Sequence, residues 1–361
     1  MIIQIEPWID DAELEELKRV VASTFVIEHE LTAEFEKRIC DLTGSPYALS
    51  MCNGTMALFC CLKAAGIGPG DEVIVPDMTF IATANAVVMA GAKPVFCDVV
   101  PGSLCLDVAA AEKLVTPQTK AVMPVHLYGL AADMDAILAF SKRHGLVVIE
   151  DAAQGVGVRF RGRHVGTFGD MGILSFYGNK TITCGEGGIV LTESDELVRA
   201  CYRLKNHGRD EKGVFIHESI GFNFSFTEMQ AAIGVAQMKK LDRIIARKKA
   251  IFDRYQAELG DIGEIEWPVV DARTTPVWWF TSIYVQQAAS LSQFMKDRNI
   301  QTRRFFYPLH MQPCYAGTGL ARPCPVSAAA YDTGISLPSA YALTEEDQGK
   351  VIQAVRAYFA K

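Results

Sequence analysis

The chain has 361 residues, 50% of them hydrophobic and 21% charged, with 35 Lys and Arg against 42 Asp and Glu. This composition excludes a disordered or collagen-like chain, and the length suits one large or two ordinary domains. The net charge of −7 and the lack of any basic run longer than Arg247-Lys248-Lys249 exclude a general polyanion surface. Nucleic acid is therefore not an expected partner, and any phosphate must be met locally.

The opening stretch, Met1 to Asp11, has neither the basic n-region nor the apolar h-region of a signal peptide. The longest uncharged apolar stretch, Thr79 to Ala92, is short of the roughly 20 residues a membrane helix requires. No membrane association and a cytoplasmic location are the expectations. Ten cysteines without a C-x-x-C pair read as reduced core thiols, and no metal site is expected.

In chain order, Asn53-Gly54-Thr55 precedes a helical run, Met56 to Ala65, so free backbone N–H groups there could hold an anion. The plain alternative is an Asn or Thr N-cap. Gly66-Ile67-Gly68-Pro69-Gly70-Asp71 follows a helix and leads into a strand, which makes it a C-cap and turn rather than a nucleotide loop. Strand runs at Glu72 to Pro76, Pro94 to Val99, Ala121 to Val125 and Leu146 to Glu150 then alternate with helical stretches at Thr79 to Ala92, Val108 to Val115 and Met134 to His144. That βαβ alternation predicts an α/β fold, with a mostly parallel sheet flanked by helices.

The last of these strands runs into Glu150-Asp151-Ala152-Ala153-Gln154, placing a carboxylate where ligands of parallel sheets bind; a helix N-cap is the alternative. Two more strands, Gly172 to Tyr177 and Gly188 to Thr192, enclose a loop in which Lys180 has no charged neighbour closer than Glu186. A buried amine able to form a Schiff base competes there with a solvated loop lysine. A helix at Asp195 to Lys205 is followed by Gly221 to Thr227, with Asn223 and hydroxyls before a single long helix from Glu228 to Leu259. The boundary falls near residue 245, giving a large domain at 1–245 and a smaller C-terminal α+β domain at 246–361. The latter is expected to hold strands at Trp279 to Val285 and Arg303 to Phe306, and a last helix at Thr344 to Phe359.

A phosphate cradle, an acid able to keep a pyridine nitrogen protonated, and an amine of lowered pKa are together what pyridoxal 5′-phosphate requires. The ordered segments Asn53-Gly54-Thr55, Gly68 to Pro76, Pro124 to Gly129, Glu150 to Gln154, Phe176 to Lys180 with Gly185 to Gly188, and Gln230 to Gly234 carry a resemblance over nearly the whole chain. It is to the sugar-nucleotide aminotransferases of the DegT/DnrJ/EryC1/StrS family, whose fold is aspartate aminotransferase-like (fold type I).

The resemblance implies that Lys180 carries the cofactor and Asp151 meets its ring nitrogen. Gly54, Thr55 and Ser175 would bind its phosphate, Phe80 would stack on the ring, and Gln154 would lie near the ring hydroxyl. It implies a homodimer in which Asn223 reaches the neighbouring subunit's cofactor phosphate, and a substrate side formed by Arg303, Tyr307 and His310. The implied reaction moves an amino group from L-glutamate to a 4-keto-6-deoxy sugar nucleotide, in O-antigen lipopolysaccharide, capsule or glycan precursor synthesis. Gly178 to Thr183 and Phe305 to His310 favour a GDP-linked 4-keto-6-deoxymannose. A UDP- or dTDP-linked 3- or 4-keto sugar, a sugar dehydration, and a regulatory cofactor-binding protein stay open. Three departures from the family pattern bear on the substrate: Ser225 where Arg is usual, Arg304 where Pro is usual, and acids plus a histidine at Glu28-His29-Glu30.

Overall fold

The computed structural model describes residues 1–211, 213–320 and 322–360. Its first strands are β1 (Tyr47–Met51), β2 (Glu72–Pro76), β3 (Lys93–Cys97), β4 (Thr119–Val122) and β5 (Val147–Asp151). The short β6 (Arg159–Phe160) and β7 (Arg163–His164) come next, then β8 (Met171–Ser175) and β9 (Gly188–Thr192). Seven of these form the central sheet, in the order β1-β9-β8-β5-β4-β2-β3, while β6 and β7 form a separate small sheet with β10 (Thr274–Thr275). Every pairing from β8 across to β3 is parallel, and β9 runs antiparallel to both of its neighbours. The expected pair of strands around the Lys180 loop is β8 and β9. Strand β1, which periodicity did not single out, pairs with the far side of β9.

The helices are α1 (Asp11–Ser23), α2 (Glu30–Thr43), α3 (Gly54–Ala64), α4 (Ala82–Met89), α5 (Val108–Glu112), α6 (Met134–His144) and α7 (Asp195–Lys205). After them come α8 (Glu228–Met238), α9 (Leu241–Leu259), α10 (Ala288–Lys296), α11 (Pro325–Thr333) and α12 (Glu345–Phe359). The central sheet is covered on both faces, and its side chains show it by alternating. Val73 and Val75 of β2 pack with Leu58 of α3 and Val87 of α4, whereas Ile74 packs in the cluster holding Phe35 of α2, Phe140 of α6 and Val235 of α8. Each such apolar side chain, fully buried, contributes roughly 1.5–3 kcal/mol, so a slip of one residue along a strand would exchange its two faces at large cost.

A third sheet, β11 (Thr281–Tyr284), β13 (Gly334–Leu337) and β12 (Arg303–Arg304), lies toward the C-terminus in the order β11-β13-β12. Ile335 and Leu337 share an apolar cluster with Ile251 and Tyr255 of α9, Leu291 of α10 and Val351 of α12.

Two expectations are corrected. Glu228 to Leu259 is two helices, broken at Lys239-Lys240, where the Lys240 N–H donates to the Gln237 carbonyl three residues back. The break brings the buried Lys240 ammonium to Asp10 (2.6 Å) and Glu13 (2.7 Å) at the start of α1 and over the Trp8 ring. A buried ammonium requires such partners, and this requirement overrides a helix-compatible sequence. The helix expected from Thr79 starts only at Ala82, which leaves Thr79 and Phe80 in a loop at the end of β2. Among the described residues no helix is long and apolar enough to cross a membrane.

Candidate active site

A cavity of about 470 Å3 opens at the carboxyl ends of β5 and β8, whose last residues are Asp151 and Ser175. Gly54, Thr55, Phe80, Gln154, Lys180 and Arg303 also line it. Eight of the eleven residues singled out in the sequence therefore meet in one place. Asn223, Tyr307 and His310 do not line it.

At the anion end, the Asn53 side chain caps α3 by accepting the Met56 N–H at 2.9 Å, which leaves the N–H groups of Gly54 and Thr55 without a helical acceptor. Strand β8 passes so close that a Cβ on Gly54 would stand 3.1 Å from the Ser175 Cβ and 3.3 Å from its Oγ. A Cβ on Gly188 would lie 2.5 Å from the Asn53 carbonyl carbon and oxygen. The absence of those two side chains lets two strands and a helix end converge on the pocket.

Alternation along β5 sends Glu150 and Asp151 to opposite faces. Glu150 is fully buried and accepts from the N–H groups of Gly166 (2.8 Å), Phe168 (2.5 Å) and Gly169 (2.7 Å), and from His126 Nε2 (2.9 Å). His126 Nδ1 accepts the Ala132 N–H, which places the ring proton on Nε2. That locked face holds the end of β5 in place. On the cavity face, Asp151 Oδ2 accepts from Thr83 Oγ1 at 2.7 Å and Oδ1 from the Ala153 N–H at 3.1 Å. Nearby, Gln154 Oε1 accepts the Tyr128 N–H at 2.7 Å.

Lys180 lies in the loop after β8, its Nζ 4.2 Å from the centre of the Trp279 ring. The Trp279 Nε1–H donates to the Asn179 carbonyl at 2.7 Å and so fixes the indole over the lysine loop. Desolvation lowers the Lys180 pKa from 10.5 to about 8; the Asp151 carboxylate opposes the change and Arg303 adds to it. An amine that sheds its proton near neutrality, beside a carboxylate and an anion pocket, can attack a carbonyl and then carry protons.

On the opposite wall, Arg303 of β12 has no carboxylate partner among the described residues and lies 5.4 Å from the Phe280 ring centre. Phe306 and the exposed Phe80 face each other at 5.8 Å. Beyond the wall, Tyr307 packs edge-on against Tyr331, and His310 gives both its N–H and its Nδ1 to the buried Asp77 carboxylate, each at 2.7 Å. Burial raises the Asp77 pKa, with the His310 contacts opposing. Asn223 sits on an exposed segment, where its Oδ1 accepts the Ser225 N–H.

Two of the sequence departures have structural work of their own. Arg304 donates to the carbonyls of Tyr331, Asp332 and Gly334, capping the C-terminal end of α11. Glu28 pairs with the buried Lys205, which also donates to the Ser50 carbonyl of β1 at 2.8 Å. Nothing in the structure explains Ser225.

The DegT/DnrJ/EryC1/StrS aminotransferase family model matches residues 7–356. The chain belongs to that family. It is 41% identical to a GDP-perosamine synthase of Caulobacter vibrioides over 89% of this chain and 88% of that one, and 36% identical to one of Vibrio cholerae over 99% of both. Among solved structures it resembles S. venezuelae DesV in complex with a ketimine intermediate, at 33% identity and a TM-score of 0.93, covering 99% of this chain and 100% of that one. Like its family, the chain is an aminotransferase built on the α/β fold that its sequence implied.

Trp279, which lines the cavity, and Thr83 and Tyr128, which hydrogen-bond to residues that do, carry little signal in the sequence. Trp279 lies in an apolar run that reads as strand, although β11 begins only at Thr281. Thr83 stands one turn after Thr79, a spacing that a helix-face reading could have connected to the end of β2. Tyr128 offers no periodic signal, and its role depends on tertiary packing.

Proposed function

We propose that this aminotransferase uses pyridoxal 5′-phosphate to move the amino group of L-glutamate onto a 4-keto-6-deoxy sugar nucleotide. GDP-4-keto-6-deoxymannose is the favoured acceptor and GDP-perosamine the product. One observation carries the reading: the Lys180 amine, the Asp151 carboxylate and the Gly54, Thr55 and Ser175 pocket share one cavity. The side-chain-free cradle at Gly54 fits a phosphate, and the buried carboxylate fits a protonated ring nitrogen. The cofactor, when bound, supplies an aldehyde that takes up an amino group and a ring that withdraws electron density.

The chain's own residues supply the rest. The N–H groups of Gly54 and Thr55 and the Ser175 hydroxyl bind the phosphate, and Asp151, oriented by Thr83, holds a proton at the ring nitrogen. Phe80 covers one ring face and Gln154 meets the ring hydroxyl. The Lys180 amine would attach the cofactor and, once released, would take the proton from the amine-bearing carbon of the substrate and return it to the carbon on the other side of the shared nitrogen, with the reverse transfer on the acceptor sugar. Arg303 receives anionic groups of the substrate, with Tyr307 and His310 behind that wall.

The GDP-linked acceptor is supported by the two relatives named GDP-perosamine synthase. A homodimer is part of the proposal: Asn223 is exposed, as are the apolar Phe215, Ile216 and Ile220 earlier in the same connection between α7 and α8, and such exposed apolar surface suits a second copy whose phosphate pocket Asn223 would complete. The division near residue 245 belongs to it too, supported by the separate apolar cluster of the C-terminal sheet.

The test follows the visible absorbance of the cofactor-loaded protein. Glutamate should bleach it, and one member of a panel of GDP-, UDP- and dTDP-linked 4-keto-6-deoxyhexoses should restore it. Lys180→Ala should abolish turnover. Wild-type turnover in that variant, or no response to glutamate, would overturn the reading.

A further inference from the structure

We infer that Tyr128, which does not line the cavity, is a positioning residue that sets the acceptor wall against the cofactor wall; the inference rests on the function proposed above. Tyr128 is buried and joins both walls through two different groups. Its backbone N–H donates to Gln154 Oε1 at 2.7 Å on the cofactor side. Its hydroxyl oxygen accepts the Phe306 N–H at 3.0 Å on the acceptor side, where its ring also stacks on Phe306 at 5.4 Å and 15°.

The backbone shows that this placement is enforced. Tyr128 has φ +52°, a left-handed conformation that a non-glycine residue holds only where its surroundings over-determine it. The next residue supplies that constraint. Gly129 lies against the chain at Val277, where a Cβ would come 1.7 Å from the carbonyl oxygen, and the Val277 N–H donates to the Gly129 carbonyl at 3.1 Å. Two residues on stands Trp279, the indole over Lys180. A single tight turn thus registers Gln154, Trp279 and the strand end carrying Arg303 and Phe306. Because Gln154 is held through the backbone N–H, replacing the Tyr128 side chain releases only the Phe306 side.

Tyr128→Phe removes one oxygen atom and keeps the ring. In the cofactor-free protein, hydrogen exchange at the Phe306 amide should accelerate roughly tenfold while the amide of Tyr128 keeps its protection. In the loaded enzyme, the glutamate half-reaction should stay within about twofold of wild type, and KM for the keto sugar nucleotide should rise roughly three- to tenfold with little change in kcat. If Tyr128→Phe does not fold, exchange in the wild-type protein decides the link: the Phe306 amide, outside any strand and donating to the Tyr128 hydroxyl, should be protected, and an unprotected amide would overturn the inference. Unchanged exchange with unchanged KM, or equal losses in both half-reactions, would overturn the inference. If wild-type protein fails to respond to glutamate, the proposed function falls, while exchange at Phe306 still decides the link.

Discussion

Lys180 should lose its proton near pH 8 instead of near 10.5. At pH 7.5 that makes about a quarter of the amine neutral, against about one part in a thousand for an ordinary lysine, a gain of roughly 200-fold in nucleophile. Stopped-flow uptake of pyridoxal 5′-phosphate by cofactor-free protein, followed by absorbance across about pH 6 to 10 at fixed ionic strength, reads this directly. The uptake rate should climb with pH and level off above about 8. Arg303→Gln removes a positive charge that depresses the Lys180 pKa, so the midpoint should move upward in that variant. A wild-type rate still climbing at pH 10, or a midpoint that moves downward in Arg303→Gln, would refute the account of how this amine is tuned.

Gly54→Ala places a Cβ 3.1 Å from Ser175 Cβ, so cofactor affinity in an absorbance titration should fall by about tenfold or more while thermal stability drops by only about 1 kcal/mol. Gly129→Ala combines φ +86° with a 1.7 Å approach to the Val277 carbonyl, and urea unfolding should show a loss of more than about 3 kcal/mol. Lys248 is buried in α9, where among the described residues its ammonium has only the carbonyls of Trp279 (3.1 Å) and Ser339 (3.2 Å) as partners, and burial lowers its pKa to about 7. The unfolded chain, with this lysine near 10.5, then binds more protons than the folded one between those values, so the lysine's contribution to stability rises with pH across that window and is lowest below it. The stability of wild type relative to Lys248→Met should therefore grow by roughly 1–3 kcal/mol between about pH 7.5 and 9.5 in paired denaturation curves.

The parts of this fold that show in the sequence are those set by local patterns. The β-branched runs of β2 to β5 alternate with helices, and the acid at the end of β5 and the lone lysine after β8 mark the mouth of the sheet by their place in the chain alone. The convergence of Gly54 on Ser175 is implied only by family resemblance, because residues 54 and 175 meet through packing of α3 on β8. The break at Lys240 is hidden for a similar reason: the carboxylates that require it belong to Asp10 and Glu13, more than 200 residues away. Arg304 and Glu28 look like substrate contacts in a linear reading, since both stand in segments that resemble the family's substrate side. In the fold, the first caps a helix and the second neutralises a buried lysine.

Incubating the cofactor-loaded protein with L-glutamate and GDP-4-keto-6-deoxymannose, and identifying the sugar nucleotide by mass and NMR, tests the central claim most directly. The account predicts a 4-amino-4,6-dideoxy sugar formed in step with 2-oxoglutarate. A 3-deoxy sugar, or a keto sugar recovered intact while another nucleotide-linked acceptor is aminated, would contradict it.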